Sequence, residues 1–422
     1  MHINSSANRI TVNNNESNTG FVFFLFCLWA FVVLSRPQDL FPVLGQFRPA
    51  LTMGILTMGF VVLRLKDLPG PPLFQERQIK YLFALFIIMI LGIPWSMHSG
   101  YSFERIFMGY IVVILFVFVF YKLVSSVDRL YTVLLLGCLG TGLYSAFALS
   151  KFAIGSGRLQ FGGMFDPNDI AFFVLGFLPL NLIFISRDNP LWIRLACLSS
   201  FGMGVLIILH SGSRAGFLAL VVVAILLLLR KSMTVKFSLK AVFVAMLIII
   251  ASFVPIDTER YSTILAYEKD YNIQAEGGRK DLWKFGIRSM FENPLTGVGV
   301  GCYGRAIGLD RQARGDAETR AWQAPHNSII QIGSETGVIG LTLFLILSLN
   351  VLRVLNKAKK ISDNERLTKI GEMGLIGFAG LFISGLFLSH GYSFYFAFYF
   401  VIAAVVSQML INKQQMSGGQ QA

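Results

Sequence analysis

The sequence predicts an all-α polytopic integral membrane protein of about twelve transmembrane helices, with one large external loop before the tenth. Three observations predict it. Of the 422 residues, 55% are hydrophobic and only 14% are charged, a balance that soluble domains do not have. Apolar runs approaching or reaching the roughly 17–25 residues that a bilayer requires recur from residue 21 to residue 411. One long polar stretch, 257–325, interrupts them.

In chain order the runs are 21–36, 49–65, 80–97, 104–122, 130–150, 168–186, 191–210, 213–230, 239–256, 326–352, 369–389 and 391–411. The leading segment 1–20 is polar and rich in Asn and Ser, the wrong composition for a cleaved signal peptide, so it reads as a tail before a retained first helix. Residues 21–256 then hold spans one to nine, 326–411 hold spans ten to twelve, and 412–422 form a second tail. A connection as long as 257–325 is usually functional or disordered. It contains Trp283, Trp322 and several Tyr and Phe residues, which favours a folded cap over a membrane-level site. A polysaccharide flippase or other transporter would show related halves and ionisable residues at mid-span. Here the nine-loop-three pattern is asymmetric, and Glu335 and Glu372 come closest to charges inside spans.

The net charge of +13 does not indicate nucleic acid, because most cations sit in short loops between apolar runs. With an even number of spans, twenty Lys and Arg residues fall on the side of the termini. Only six lie in the opposite short loops: Arg36, Arg48, Arg105, Lys151, Arg158 and Arg214. Cytoplasmic loops carry the excess of cations, so both termini are expected inside and the long loop outside. Cys27, Cys138 and Cys197 lie in apolar runs, only Cys302 lies in the loop, and no spacing suits a disulfide framework or a metal. Neither metal nor cofactor is expected.

The few outer cations each need a reason. Arg214 lies in the short turn His210-Ser211-Gly212-Ser213-Arg214, where a charge near hydrocarbon marks either a functional partner or a side chain reaching for headgroups. Arg260 and Arg279 flank the start of the loop. Guanidinium groups bind phosphate oxygens through paired hydrogen bonds and stay charged at any pH, though a solvated salt bridge is the plainer role. In Pro325-His326-Asn327, proline fixes the approach to the tenth helix, and His326 is expected in its first turn. There the helix N-terminus favours the neutral imidazole that a general base requires; a structural histidine bonded to a loop carbonyl is the alternative. Gly297-Val298-Gly299-Val300-Gly301 lacks the Lys and Ser/Thr of a phosphate-binding P-loop.

Taken together, Gly163-Met164-Phe165-Asp166-Pro167-Asn168, Ser213-Arg214-Ala215-Gly216, Glu259-Arg260-Tyr261-Ser262, Gly278-Arg279-Lys280-Asp281-Leu282-Trp283, Asn293-Pro294-Leu295-Thr296-Gly297 and Pro325-His326-Asn327 resemble the O-antigen ligase and O-antigen polymerase superfamily of bacterial polytopic glycan transferases. The resemblance covers about the second half of the chain. It implies a GT-C-like, metal-independent glycosyltransferase of the bacterial inner membrane, with its active face in the periplasm. Such an enzyme takes a glycan from undecaprenyl diphosphate and joins it to an acceptor hydroxyl. The acceptor is lipid A-core sugar in a ligase, the leading reading here, or a lipid-linked repeat in a polymerase. By the same resemblance, Arg214, Arg260 and Arg279 would hold the diphosphate, His326 would be the essential histidine beside the acceptor, and Asn327 would contribute to substrate binding. Arg288 and Arg305 are further loop cations, and whether either contacts the same diphosphate stays open on position alone. Membrane lipids are the remaining expected partners.

Overall fold

The computed structural model describes residues 5–153, 157–161, 166–229, 278–315 and 322–418, and no strand occurs among them. In chain order the helices are α1 (Ser5–Ser35), α2 (Pro49–Leu63), α3 (Arg77–Leu91), α4 (Ser99–Leu123), α5 (Val127–Lys151), α6 (Pro167–Phe177), α7 (Leu191–His210) and α8 (Arg214–Leu228). They continue with α9 (Arg279–Glu292), α10 (Tyr303–Ala313), α11 (Ser328–Ile361), α12 (Glu365–Gly385) and α13 (Phe394–Gly418). Six of these, α4, α5, α7, α11, α12 and α13, are long and apolar enough to cross a membrane; four shorter apolar stretches are Thr19–Ser35, Pro49–Leu63, Pro167–Ile183 and Arg214–Leu228. The expected run 239–256 and the first part of the long loop, with Arg260, lie outside the described residues.

Several expected spans are interrupted rather than continuous, and proline accounts for two of the interruptions. Pro94 and Pro179 lack the N–H that an α-helix needs, and the chain passes into the 3-10 segments Ile93–Trp95 and Pro179–Ile183. Where α6 gives way to the second of these, the Tyr399 hydroxyl donates to the Gly176 carbonyl at 2.7 Å. A neighbouring helix thereby satisfies backbone that hydrocarbon could not. Within α4, residues Arg105–Tyr110 form a π segment, a feature that gathers at functional sites because it redirects side chains.

Helix α13 is the hub. Its residues 396–406 are buried on every face, the mark of a helix enclosed by others. It packs against α3, α4 and α11, while α12 packs against α6, α8 and α11. Peripheral helices instead expose Ile55, Val62, Leu63, Leu191 and Trp192. In water such a belt would promote association; against lipid tails it needs no partner.

The two ends of the bundle differ. At one, Lys122 donates to the carbonyls of Gly70 (3.2 Å) and Pro71 (2.7 Å), Arg366 pairs with Asp128 at 2.5 Å, and Lys369 with Glu365 at 2.7 Å. All these cations belong to the set expected on the side of the termini. The opposite end gathers Arg36, Arg105, Arg158 and Arg214, of the set expected outside.

That second end is covered by the loop helices. Leu282, Phe285, Val298, Cys302, Tyr303, Ala306 and Ile307 form a small core of their own, with Tyr101, Trp283 and Ile330 packed against it. The described part of the loop therefore folds as a cap. It is anchored through an irregularity in α11, where Gly337 (φ 70°, ψ −172°) breaks the helix. The residues 293–301 form a strap that fills the break: Val298 N–H donates to Ser334 O at 2.8 Å, Gly299 N–H to Glu335 O at 3.2 Å, and Val338 N–H to Pro294 O at 2.7 Å. A broken helix at membrane depth is tolerated where protein rather than lipid surrounds the freed groups.

Candidate functional site

A cavity of about 960 Å³ lies under the cap. One wall comes from Arg36, Tyr395 and Phe394, a second from His98, Tyr101, Arg105 and Tyr110 of the redirected α4 segment. The cap contributes Tyr303, Arg305 and Trp322, and the far wall carries Asp169, Glu335, Ser389 and His390.

Each charged wall residue is held by identifiable contacts. Arg36, at the end of α1, pairs with Asp39 at 2.5 Å. Arg105 donates through Nε to the Tyr101 hydroxyl at 2.9 Å, and its guanidinium lies 4.9 Å above that ring. Arg305 lies 5.9 Å from the centre of the Trp322 ring, itself 60% exposed. Glu335 is buried at the break in α11, where its carboxylate accepts from Gly301 N–H (2.8 Å) and Tyr303 N–H (3.3 Å). A buried carboxylate so bonded ties the start of α10 to α11.

His326 sits at the rim, between Pro325 of the cavity wall and the start of α11. It does not join the first turn, as the sequence suggested. Asn327 is the N-cap, its side-chain oxygen accepting from Ile329 N–H (2.9 Å) and Ile330 N–H (3.1 Å). His326 precedes it in the left-handed region (φ 48°). The reason is local: Asn is among the best capping residues, whereas an imidazole cannot satisfy those two donors. The left-handed turn is pinned by His326 N–H donating to Ser389 Oγ at 2.9 Å and by Trp283 Nε1–H donating to Pro325 O at 2.9 Å. Trp283 is thus a clamp on this turn rather than a free stacking surface.

Electrostatics link the rim to other expected residues. Burial, and then the positive charge of Arg279, hold the His326 imidazole below its ordinary pKa of 6.5, while Asp166 and Asp169 act in the opposite direction. The neutral form follows from burial and a nearby guanidinium, where the sequence had pointed to a helix terminus. Arg279 opens α9, and Arg214 opens α8 behind its N-cap Ser213, whose Oγ accepts from Gly216 N–H at 3.1 Å. Gly216 lies against Ala171 of α6, and Arg158 bridges Asn168 (2.8 Å) to the Ser211 carbonyl (2.8 Å). The starts of α6, α8, α9 and α11 therefore meet at one end of the bundle. Arg279 and His326 are brought within electrostatic reach of each other, Arg214 begins the helix whose Gly216 packs on α6, and Asn327 serves as a cap.

Other loop arginines have structural partners. Arg288 pairs with Asp310 and lies 3.7 Å from Glu292, and Arg314 pairs with Asp310 at 2.6 Å. Among the described residues, no group of three or more His, Cys, Asp or Glu side chains is arranged to hold a metal ion.

Sequence reading missed Arg36, Arg105, Asp169 and His390 as members of the site. No motif surrounds His98 or His390 in the sequence, and the one available signal was the rarity of outer cations, which had included Arg36 and Arg105 without grouping them.

Comparison with known proteins adds one match. Residues 170–345 match the family model described as O-antigen ligase, a segment running from α6 to α11 that contains Arg214, Arg279 and His326. It supports the O-antigen ligase/polymerase superfamily, as the sequence motifs had. Comparison with curated proteins gives no match.

Proposed function

From a membrane protein with an O-antigen ligase segment at 170–345, we propose a metal-independent transferase that moves a glycan from undecaprenyl diphosphate to an acceptor hydroxyl at the periplasmic face, with ligase-like use of lipid A-core as acceptor. The observation that supports this most is Arg279 within electrostatic reach of His326, which follows Pro325 of the wall of a roofed cavity of about 960 Å³. As the sugar leaves the diphosphate, negative charge develops on the phosphate oxygens. Fixed guanidinium groups in a partly dry site stabilise that charge better than mobile water. Arg214 and Arg279 would supply it, joined by Arg260. His326, neutral at ordinary pH, would orient or deprotonate the attacking hydroxyl. The polyprenyl tail would lie between apolar helices while the cap covers the sugars, with Trp322 available for stacking.

Purified protein in lipid vesicles, given undecaprenyl-diphosphate-linked glycan and lipid A-core, is expected to form the joined product with a chelator present. Strict dependence on a divalent ion would refute the chemistry. A product of lengthened lipid-linked chains, with lipid A-core left bare, would make the protein a polymerase.

The charge arrangement predicts a titration. Burial and Arg279 both disfavour the imidazolium, so His326 should remain neutral down to a pH below 6.5. Arg279→Gln removes a repelling charge and should raise the midpoint, as ¹⁵N-histidine NMR of the full-length protein would record. An unmoved midpoint would separate the two residues.

A further inference from the structure

The far wall of the cavity carries an imidazole whose partner is a carboxylate, where His326 at the rim faces Arg279. His390 Nε2 and Asp169 Oδ1 are 2.8 Å apart, although 221 residues separate them in the chain. Both side chains remain partly open, at 23% and 24% exposure, and both line the cavity. The ring is stacked on Phe172 at 4.5 Å with 18° between planes, which fixes its orientation. Its backbone is fixed as well, His390 N–H donating to Ser328 Oγ at 3.1 Å. Asp169 belongs to the first turn of α6 behind the N-cap Asp166, a position that favours negative charge.

These contacts dictate the tautomer. An ionised carboxylate only accepts, so Nε2 carries hydrogen toward Asp169 and Nδ1 presents its lone pair. No hydrogen-bond partner for Nδ1 occurs among the described residues. An imidazole oriented by a carboxylate on one nitrogen and open on the other is the arrangement of a general base whose imidazolium is stabilised as it forms. At His326 the neighbouring Arg279 has the opposite effect.

We infer that Asp169 and His390 form a carboxylate–imidazole dyad that accepts the acceptor-hydroxyl proton during glycan transfer, leaving His326 to orient the reacting groups beside the diphosphate. The inference rests on the transferase reading given above and divides its roles. In the step, the acceptor oxygen bonds to the anomeric carbon, and the bond from that carbon to the diphosphate oxygen breaks with its electron pair. The hydroxyl proton moves to His390 Nδ1 and later to water. Asp169 stays ionised throughout and acts as a positioning residue through His390. The charged groups Arg36, Arg105, Arg305 and Glu335 line the same cavity, so the acceptor would meet the dyad among them.

The test uses the full-length protein in vesicles with lipid-linked glycan and acceptor lipid extracted from a strain deleted for the protein. His390→Ala is expected to lower kcat by about 100-fold, within the usual range for a general base, with KM for the donor little changed. Added imidazole should restore part of that loss. Asp169→Asn should lose kcat without imidazole rescue, and Asp169→Glu should recover more than Asn does. If His390→Ala does not fold, His390→Gln keeps a hydrogen-bonding side chain without a base and must show the same fall. Wild-type kcat in a His390 variant, or a loss that imidazole cannot restore, would overturn the dyad while leaving the transferase reading intact. No transfer by the wild-type protein would overturn both.

Discussion

Replacing Arg279 or His326 by alanine is expected to lower glycan transfer by at least about 100-fold, the scale on which single electrostatic or proton-handling groups act in enzymes. The protein should still reach the membrane and purify normally, because both side chains are only partly buried at the rim and neither belongs to the apolar core. Arg214→Ala should behave alike. The informative contrast lies within the cap. Arg288 and Arg314 are similar cations in the same loop, but each has a carboxylate partner and a half-exposed side chain. Exposed pairs contribute between nothing and about 1 kcal/mol, so Arg288→Ala and Arg314→Ala should transfer glycan at close to the normal rate. Equal losses in all four arginine variants would mean that the assay reports the general charge of the cap, and the assignment of Arg214 and Arg279 would fail.

Gly337→Val is expected to have the largest effect on folding. The position has φ 70° and ψ −172°, a region open almost only to glycine. A side chain there would also overlap the Pro294 carbonyl oxygen and come within 2.8 Å of the Leu295 carbonyl carbon, both backbone atoms that cannot rotate away. The strap would have to leave the break, and the hydrogen bonds made by Val298, Gly299 and Val338 would go with it. Buried backbone groups left unpaired cost roughly 1–3 kcal/mol each, so little folded protein should survive detergent extraction and size-exclusion chromatography. Gly59→Ala, in α2 with open space around it, is the control and should purify like the wild type.

Much of the architecture was legible because a bilayer enforces simple rules. Apolar length marked the six helices long enough to cross a membrane, and the cations expected on opposite sides, Lys122 and Arg366 against Arg36 and Arg105, fall at opposite ends of the bundle. The interruptions at Pro94 and Pro179 had a visible cause that a count of hydropathy alone passes over. Gly337 gave a fainter sign: it follows Glu335, which was noted only as a charge out of place. Part of the site was legible for a different reason, since Arg279 and His326 lie in motifs beside the cap. Asp169 and His390 had no such local mark. Nothing within a few residues of His390 shows that a carboxylate 221 residues earlier will meet it, and a helix-end histidine usually means nothing more. Likewise, the capping strength of Asn327 displaced His326 from the first turn, a competition settled by local hydrogen bonding.

The strap has a consequence for how the chain is made. Residues 293–301 leave the ribosome before α11 does, so the piece that closes the gap at Gly337 exists before the gap itself. The first half of α11 never has to wait in lipid with bare carbonyls for a later segment to arrive. Moving the cap sequence to the far side of α11, with every contact preserved on paper, would reverse that order and leave the newborn helix unsealed during insertion.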